Sequence, residues 1–137
     1  MEPAGALSIA SLEKLKDRNI KNKNIVCILS GGNNDITRYP EFIEKNLVYL
    51  GIKHYFIINF SQKPGELKLF VNKILCDSDD LVRFEYIKKN NNNFGKALIG
   101  IELSDKNNLD IIISNLKKYK YIYTKVDHTD NKYGLNL

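Results

Sequence analysis

The sequence predicts an α+β fold in which two helices cover one face of an antiparallel sheet. The first observation is the alternation in residues 53–60, which places phenylalanine and isoleucine side chains on one face of a strand. The second is a pair of apolar stripes at helical spacing, one in residues 64–76 and one in residues 105–118. With three more strand patterns the order becomes βαββαβ, which is typical of a ferredoxin-like two-layer sandwich.

The remaining elements of the sandwich are predicted by the same patterns and by turn residues. The predicted strands cover residues 53–60, 80–89, 96–103 and 120–126. The asparagine run at 90–93 has no apolar anchor and indicates a loop between the second and third strands. The polar residues 127–137 indicate a tail that frays.

Residues 1–50 differ in character from the sandwich. Their patterns predict a helix at 3–18, a turn at 19–24, a strand at 25–29 and a helix at 41–50. The strand at 25–29 is apolar without alternation, which favours a central strand of a sheet that is covered on both faces. Because residues 1–24 cannot supply its neighbouring strands, we expect this region to be a fragment of a larger α/β domain.

The composition narrows the possible function classes. With 43% hydrophobic and 27% charged residues, the 137-residue chain has the composition of a soluble globular protein. No apolar run approaches the roughly 20 residues that span a bilayer, and no secretory signal opens the chain, so we expect a cytoplasmic protein without membrane contact. The net charge of +5 suggests nucleic-acid binding, but the lysines are dispersed among acidic residues, which favours a solvated surface.

The side chains that form metal, redox or nucleotide sites in proteins are scattered in this sequence. Cys27 and Cys76 lack metal-ligand or CxxC spacing, which favours reduced thiols. His54 and His128 lack acidic or cysteine partners at metal spacing, so we expect no metal site. The glycine-rich turn at 30–33 follows a strand, as phosphate sites do, but it lacks the GxGxxG and GK[ST] patterns of nucleotide sites.

Five passages of the chain carry a resemblance to an enzyme family. They are Glu2-Pro3-Ala4-Gly5-Ala6, the strand at 25–29 with the turn Ser30-Gly31-Gly32-Asn33, Lys53-His54-Tyr55-Phe56-Ile57, Phe60-Ser61-Gln62-Lys63-Pro64-Gly65-Glu66-Leu67, and Asp80-Leu81-Val82-Arg83-Phe84-Glu85-Tyr86. On these residues the chain resembles the C-terminal part of threonine dehydratase (threonine ammonia-lyase), and the likeness covers nearly the whole chain. The family uses pyridoxal 5'-phosphate (PLP) to release ammonia from threonine in isoleucine biosynthesis.

The resemblance implies that the N-terminal region is a helix-strand-helix remnant of a PLP fold type II catalytic domain. It places Ser30 at the pyridine nitrogen of the cofactor, with Gly31 and Glu2 beside the cofactor cavity, provided that the complete catalytic domain is present. In the family the Schiff-base lysine and the phosphate loop lie upstream of this part. The resemblance therefore implies no catalytic residue and no cofactor for this chain alone, which we expect to be inactive by itself.

The resemblance further implies an ACT-like regulatory domain that binds isoleucine or valine as an effector. Its implied effector-binding residues are Pro64, Gly65, Glu66, Leu67, Arg83 and Glu85. Pro64 fixes the backbone as a helix begins, and Gly65 lets a carboxylate approach the free N–H groups of the helix. Arg83 and Glu85 share one face of a strand, where they would meet the carboxylate and ammonium of the effector, pair with each other across a subunit interface, or be solvated.

The predicted organisation is a catalytic-domain remnant at 1–50, an ACT-like regulatory domain at 51–126 and a flexible tail at 127–137. We expect a homo-oligomer formed through the regulatory domain, because a small sandwich with an open sheet face gains stability by pairing. One alternative is the C-terminal half of a split threonine ammonia-lyase that is active only with an N-terminal catalytic fragment. A second alternative, an RNA-binding module of the same fold, is disfavoured because residues 96–103 offer no aromatic side chain for stacking.

Overall fold

The computed structural model describes residues 2–15, 20–33, 35–86 and 94–126. The predictions for the loop at 90–93, the tail at 127–137, His128, and the last residues of the helix at 3–18 and of the strand at 80–89 lie outside these ranges. The chain divides into two compact units, Met1–Tyr39 and Pro40–Leu137. Within the described ranges no helix has the length and apolar character needed to cross a membrane.

From residue 53 onward the helices and strands follow one another in the predicted order. They are α1 (Leu7–Ala10), α2 (Tyr39–Tyr49), β1 (Lys53–Ser61), α3 (Glu66–Ile74), β2 (Asp80–Tyr86), β3 (Phe94–Glu102), α4 (Asn108–Lys118) and β4 (Ile122–Val126). Short 3-10 turns cover Ala4–Ala6, Glu13–Leu15 and Ile36–Arg38. From β1 onward this is the βαββαβ order of the ferredoxin-like sandwich.

The four strands form one antiparallel sheet in the order β2-β3-β1-β4. β1 pairs with β3 over its whole length, from Lys53 opposite Glu102 to Ser61 opposite Phe94. β2 pairs with β3 across a register shift between Leu81 and Arg83, and β4 pairs with the central strand β1 between Tyr55 and Asn59. The predicted α+β fold, ferredoxin-like and ACT-like, is confirmed.

One face of the sheet packs against α3 and α4 and forms the main core. The buried core side chains are Phe56, Ile58, Phe60, Ala97, Ile99 and Ile101 from the strands and Phe70, Ile74, Ile112 and Leu116 from the helices. Alternation in the strands and helical spacing in the helices direct these residues toward one another. Each large side chain that is fully buried here contributes about 1.5–3 kcal/mol relative to an exposed position.

The second face of the sheet carries a smaller cluster, to which α2 contributes. Its members are the buried Tyr55 and Val126 with the half-buried Val48, Ile57 and Leu98. Glu44 of α2 accepts hydrogen bonds from the Tyr55 hydroxyl and from Nζ of Lys53, the latter at 2.6 Å. α2 therefore packs as part of the unit that contains the sheet.

The third strand was predicted to carry no aromatic side chain, and this prediction was wrong. β3 begins at Phe94, two residues earlier than predicted, so the third strand does carry an aromatic side chain, which is 63% exposed. The aromatic residue of β1 on the same face, Tyr55, is buried and donates its hydroxyl to Glu44. The described residues of this face therefore do not present the pair of open rings on which an RNA-recognition sheet stacks bases.

The unit Met1–Tyr39 corrects two sequence predictions. Residues 25–29 form no strand, and Val26 and Ile28 are 87% and 77% exposed. A central strand needs strands on both sides and covering layers, and the described residues of this unit include no strand that could pair with it. In residues 3–15, the described part of the helix predicted at 3–18, regular α-helix is limited to the four residues of α1. α1 has no buried side chain, and a helix gains most of its stability from packing.

Candidate functional site

A cleft of about 190 Å³ lies where β1 ends and α3 begins. Its lining residues are Phe60, Ser61, Gln62, Lys63, Pro64, Gly65, Glu66, Leu67, Phe84 and Tyr86. Four parts of the fold thus meet at the cleft: the end of β1, the turn after it, the first turn of α3 and two aromatic residues of β2. All four effector-binding residues predicted in the segment 64–67 line this cleft.

The turn that begins α3 depends on the backbone of Gly65. Gly65 is the residue before the helix, and its φ of 87° is a conformation that side chains other than hydrogen disfavour. A Cβ atom at this position would meet nothing within 4 Å, so the constraint comes from the backbone rather than from space. No side chain caps the helix here. The N–H of Glu66 points to the carbonyl oxygen of Lys63 at 3.5 Å. The next N–H groups of the first turn have no partner within a helix and are therefore suited to an anionic group.

The apolar wall of the cleft is built from aromatic rings. The ring centroid of Phe60 lies 5.9 Å from that of Phe84 and 6.2 Å from that of Tyr86, and on its other side 5.1 Å from that of Phe70. Gly95 of β3 makes room for the wall, because a Cβ there would lie 2.6 Å from Tyr86 Cε2. The wall offers a packed surface against which an aliphatic side chain can be buried.

Glu66, at the start of α3, is held by a tyrosine that immediately precedes β4. The Tyr121 hydroxyl donates to Glu66 Oε1 at 2.7 Å, and the Tyr121 ring packs on Phe60 and Phe70 at centroid distances of 5.7 Å. Burial, followed by the hydrogen bond to Glu66 and its negative charge, raises the pKa of Tyr121 well above its ordinary value. Tyr121 therefore remains a donor at neutral pH and fixes the position of the Glu66 carboxylate.

Gln62 is the lining residue whose hydrogen bonding is incomplete. Its Nε2 atom is buried and has no hydrogen-bond partner in the part of the chain that the structure describes. A buried amide donor without a partner costs about 1–3 kcal/mol, so such atoms are rare in folded proteins. In the backbone next to Gln62, the N–H of Lys63 donates to Oγ of Ser61 at 3.4 Å.

Arg83 and Glu85 lie on the other face of the sheet from the cleft. Side chains alternate along β2, so Phe84 and Tyr86 reach the cleft while Arg83 and Glu85 point away from it. The two charged residues pair with each other, with Arg83 Nε 2.7 Å and Nη2 2.6 Å from Glu85 Oε1. The predicted effector residues are therefore divided, and a ligand in the cleft would contact 64–67 without reaching this pair.

Six lining residues were not among the predicted site residues: Phe60, Ser61, Gln62, Lys63, Phe84 and Tyr86. For the two aromatic residues of β2 the signal was present, because alternation with Arg83 and Glu85 assigns the rings to the core face of the strand. For Gln62 the sequence contains no comparable signal. Whether an amide between a strand end and a turn is buried depends on how the chain folds back over it.

In the unit Met1–Tyr39 the three residues predicted to contact PLP lie close together. The N–H of Glu2 donates to the carbonyl of Gly31 at 3.2 Å, and a Cβ at Gly31, where φ is 75°, would lie 2.3 Å from Glu2 Cδ. The residue before Gly31, Ser30, is exposed, and its carbonyl oxygen lies 1.6 Å from the position of a Cβ at Gly5. Both glycines are therefore required for this close approach of the chain to itself.

The chemistry of these residues fits one edge of PLP. A serine hydroxyl is neutral and suits a pyridine nitrogen, as the resemblance implies for Ser30. The Glu2 carboxylate carries the same charge sign as the cofactor phosphate and is unsuited to bind it. The serine hydroxyl is thus chemically compatible with the ring edge of the cofactor, and Ser30, Gly31 and Glu2 do not supply a phosphate site.

The histidine of the sheet is a structural residue. His54 is 9% exposed, and its Nε2 donates to the carbonyl oxygen of Gly51 at 3.1 Å. Burial and then the charge of Lys125 lower the pKa of His54, so the ring is neutral at pH 7. Among the described residues there is no group of three or more histidine, cysteine, aspartate or glutamate side chains that could hold a metal ion.

Comparison with protein families gives one matching model over most of the sandwich. The model describes the C-terminal regulatory domain of threonine dehydratase, and it matches residues 44–135. The match begins within α2, covers every strand of the sheet and includes the whole lining of the cleft.

Several curated proteins are similar to the chain over almost all of its length. L-threonine dehydratase biosynthetic IlvA of Lactococcus lactis subsp. lactis (strain IL1403) is 52% identical over 134 residues, which are 98% of this chain and 32% of the relative. The protein of the same name from Bacillus subtilis (strain 168) is 47% identical with the same coverage. That from Staphylococcus aureus (strain NCTC 8325 / PS 47) is 54% identical over 108 residues, 79% of this chain and 25% of the relative. The chain spans about a third of the length of the first two relatives.

Proposed function

Because the chain belongs to the family of the C-terminal regulatory domain of threonine dehydratase, we propose that it binds a branched-chain amino acid as an allosteric effector. The cleft at the start of α3 is the proposed binding site, and isoleucine or valine is the proposed ligand. The observation that carries the proposal is the combination, in one cleft, of an uncapped helix start and an aromatic wall.

The size and chemistry of the cleft support a small zwitterion. A cavity of about 190 Å³ is smaller than the roughly 300–1,000 Å³ of clefts that enclose drug-sized ligands. The carboxylate of an amino acid would meet the first N–H groups of α3, and Glu66 would lie near its ammonium group. An aliphatic side chain would pack against Phe60, Phe84 and Tyr86.

Effector binding would regulate by stabilising one of two arrangements of the domain. A ligand shifts an equilibrium only by its difference in affinity for the two states. The hydrogen bond between Glu66 and Tyr121 supports a route for this effect, because it joins the lining of the cleft to the start of β4.

The partner in this regulation is a PLP-binding catalytic part of threonine dehydratase, whether joined to this chain or separately encoded. When bound there, PLP would supply the electron sink for release of ammonia from threonine. The residues of this chain that would lie at its ring edge are Ser30, Gly31 and Glu2. The proposed organisation keeps these residues in a catalytic remnant at 1–50, followed by the regulatory domain at 51–126.

Two copies of the regulatory domain are proposed to pair through the second face of the sheet. Phe94 and Ile122 on this face are 63% and 70% exposed, and both lie beside the end of β1. Burial of such residues against a second copy would remove apolar surface from water.

Gly65 provides the test of the binding site. Isoleucine and valine are titrated by calorimetry into the 137-residue chain and into the variant Gly65→Ala. We expect binding by the unaltered chain and an affinity weaker by about tenfold or more for the variant, because alanine disfavours the φ of 87° that shapes the cleft.

Gly51→Ala is the matched control. Gly51 also has a positive φ, of 69°, and a Cβ atom there would also meet nothing within 4 Å, but Gly51 does not line the cleft. Both variants should lose similar stability, while only Gly65→Ala should lose affinity. Absence of binding of either amino acid to the unaltered chain at millimolar concentration would contradict the proposed function.

A further inference from the structure

The sandwich consists of two halves that repeat the same arrangement. The segment β1-α3-β2 is followed by β3-α4-β4, and exchanging the two halves gives the same sheet order read from the opposite edge. Each helix buries two residues one turn apart, Phe70 and Ile74 in α3 and Ile112 and Leu116 in α4. The end of β3 with the start of α4 is therefore the counterpart of the place where β1 ends and α3 begins.

One hydrogen bond is repeated in both halves, with its donor and acceptor reversed. The first residue of α3, Glu66, accepts at 2.7 Å from the hydroxyl of Tyr121, the residue immediately before β4. The first residue of α4, Asn108, donates its Nδ2 at 2.8 Å to Oδ1 of Asp79, the residue immediately before β2. Because the two pairs join corresponding positions, the surroundings of Asp79 can be compared directly with the cleft.

The Asp79 carboxylate also reaches the turn between β3 and α4. Its Oδ1 accepts from the N–H of Ser104 at 3.1 Å and lies 3.4 Å from the Ser104 hydroxyl. Ser104 directly follows the buried core residue Leu103, as Ser61 directly follows the buried core residue Phe60 in the first half. Ser61 lines the cleft. In the second half the Asp79 carboxylate thus lies at the place where the first half is open.

We propose that the turn between β3 and α4 is a second carboxylate site of this fold, and that Asp79 occupies it as a ligand supplied by the chain itself. The site consists of the Asn108 amide, the Ser104 N–H and, from the end of α3, the Cys76 N–H, which donates to Asp79 Oδ2 at 3.3 Å. Several N–H donors converging on one carboxylate form charge-assisted hydrogen bonds, which are the strong ones in proteins.

The built-in carboxylate closes this end of the sandwich to free amino acids. A group that is tethered beside its site has a high effective concentration, so a dissolved carboxylate competes poorly with it. Asp79 thereby restricts which of the two equivalent turns can take a ligand. The inference goes beyond the proposed function and holds whether or not the cleft binds an amino acid.

Removal of the carboxylate should convert the filled site into an open one. Asp79→Ala deletes one carboxylate, and formate has the size of the group that is lost. Urea denaturation of the 137-residue chain at pH 7 compares sodium formate with sodium chloride at equal concentration. A ligand that binds only the folded state stabilises it, so about 0.5 M formate should restore about a third or more of the urea midpoint that Asp79→Ala loses.

The gain in formate is counted relative to the unaltered chain, in which Asp79 excludes formate from the site. Formate bound in the cleft would act equally on both proteins and cancels in this comparison. Asp77→Ala is the matched control, since it removes an exposed carboxylate from the same loop. Asp79→Asn fills the site with an uncharged group of equal size. Neither control should gain more from formate than the unaltered chain.

A second measurement shows where formate binds. In proton–nitrogen correlation spectra of Asp79→Ala, added formate should shift the amide signals of Ser104 and Cys76 along a saturable curve. The same signals of the unaltered chain should not shift. A purely structural role for Asp79 would lower the stability of the variant without producing either response to formate.

The inference is overturned if formate neither stabilises Asp79→Ala beyond the unaltered chain nor shifts the Ser104 amide signal. If Asp79→Ala is unfolded in chloride, circular dichroism follows the same titration, and formate should restore the folded spectrum where chloride does not. Failure to restore it would equally overturn the inference. These outcomes leave the proposed function untouched, because that function is tested by isoleucine and valine binding to the unaltered chain.

Discussion

At the scale of single residues, the same pairing of tyrosine and glutamate occurs on both faces of the sheet. Tyr121 donates to Glu66 beside the cleft, and Tyr55 donates to Glu44 of α2 on the second face. Burial, followed by the neighbouring glutamate, raises the pKa of each tyrosine well above its ordinary value. The two hydroxyls are thus chemically alike, although only one belongs to the proposed binding site.

Substitution of each tyrosine by phenylalanine separates stability from binding. We expect Tyr121→Phe and Tyr55→Phe each to lower the free energy of unfolding by about 1 kcal/mol in urea denaturation. Only Tyr121→Phe should also weaken isoleucine binding, because Glu66 loses the donor that fixes its carboxylate. Equal loss of affinity in both variants would argue against a specific role for Tyr121.

The pH dependence follows from the direction of these shifts. The pKa of each tyrosine is higher in the folded than in the unfolded chain, so its stabilising contribution is complete below about pH 10 and is lost as pH rises further. Each phenylalanine variant should therefore show a smaller loss of stability in alkaline solution than the unaltered chain.

Pairs of a tyrosine and a glutamate such as these could not be predicted from the sequence, since Glu66 and Tyr121 are distant in the chain and no motif links them.

At the scale of elements, one aspartate joins two turns at the same end of the sheet. Asp79, before β2, accepts from the N–H of Cys76 at 3.3 Å, from the N–H of Ser104 at 3.1 Å and from Asn108 Nδ2 at 2.8 Å. Partial burial would raise the pKa of Asp79, but these hydrogen bonds outweigh it and hold the pKa below its ordinary value. The carboxylate thus ties the end of α3 to the start of α4.

Asp79→Ala should destabilise the chain in a pH-dependent manner. At pH 7 we expect a loss of about 1–2 kcal/mol in the free energy of unfolding, because three donors lose their acceptor. Since the folded-state pKa is depressed, this stabilisation is present above the ordinary aspartate pKa of about 3.9 and is lost as pH falls through the folded-state pKa. Urea denaturation at several pH values should show the variant and the unaltered chain converging in acid, with the exposed Asp77→Ala as the unaffected control.

The elements show where sequence patterns succeed and where they fail. Alternation and helical spacing predicted the sandwich because each of its strands and helices buries one side. The start of α4 was predicted three residues early at 105, because the Asp105 side chain accepts from the N–H of Asn107 at 2.9 Å and holds a turn there. The run at 25–29 was misassigned because an apolar segment was interpreted as buried, and burial of a central strand depends on partners outside the segment itself.

At the scale of the whole molecule, the regulatory sheet is covered unequally on its two faces. α3 and α4 bury the main core, whereas the second face retains Phe94 and Ile122 as exposed apolar residues. A self-associating domain is the expected consequence. Self-association stays a prediction that the sequence made through the size of the sandwich, and the location of the exposed residues required the register of the strands.

Lysine substitutions locate the interface. We expect sedimentation velocity to show dimers of the unaltered chain and predominantly monomers of Ile122→Lys, because a charge would be buried in the contact. Ile111→Lys is the matched control, since Ile111 is 48% exposed and lies on α4, which covers the opposite face. A monomeric unaltered chain at high micromolar concentration would contradict pairing through this face.

The irregular register of β2 has a consequence for how the domain tolerates change. Leu81 pairs with Ile101 and Arg83 with Gly100, so Val82 is an extra residue that has no counterpart on β3. A residue gained or lost at this point would be absorbed locally, and the rings of Phe84 and Tyr86 would keep facing inward. The bulge thus lets the loop before β2 vary in length, while the rings beyond the bulge stay in register with β3.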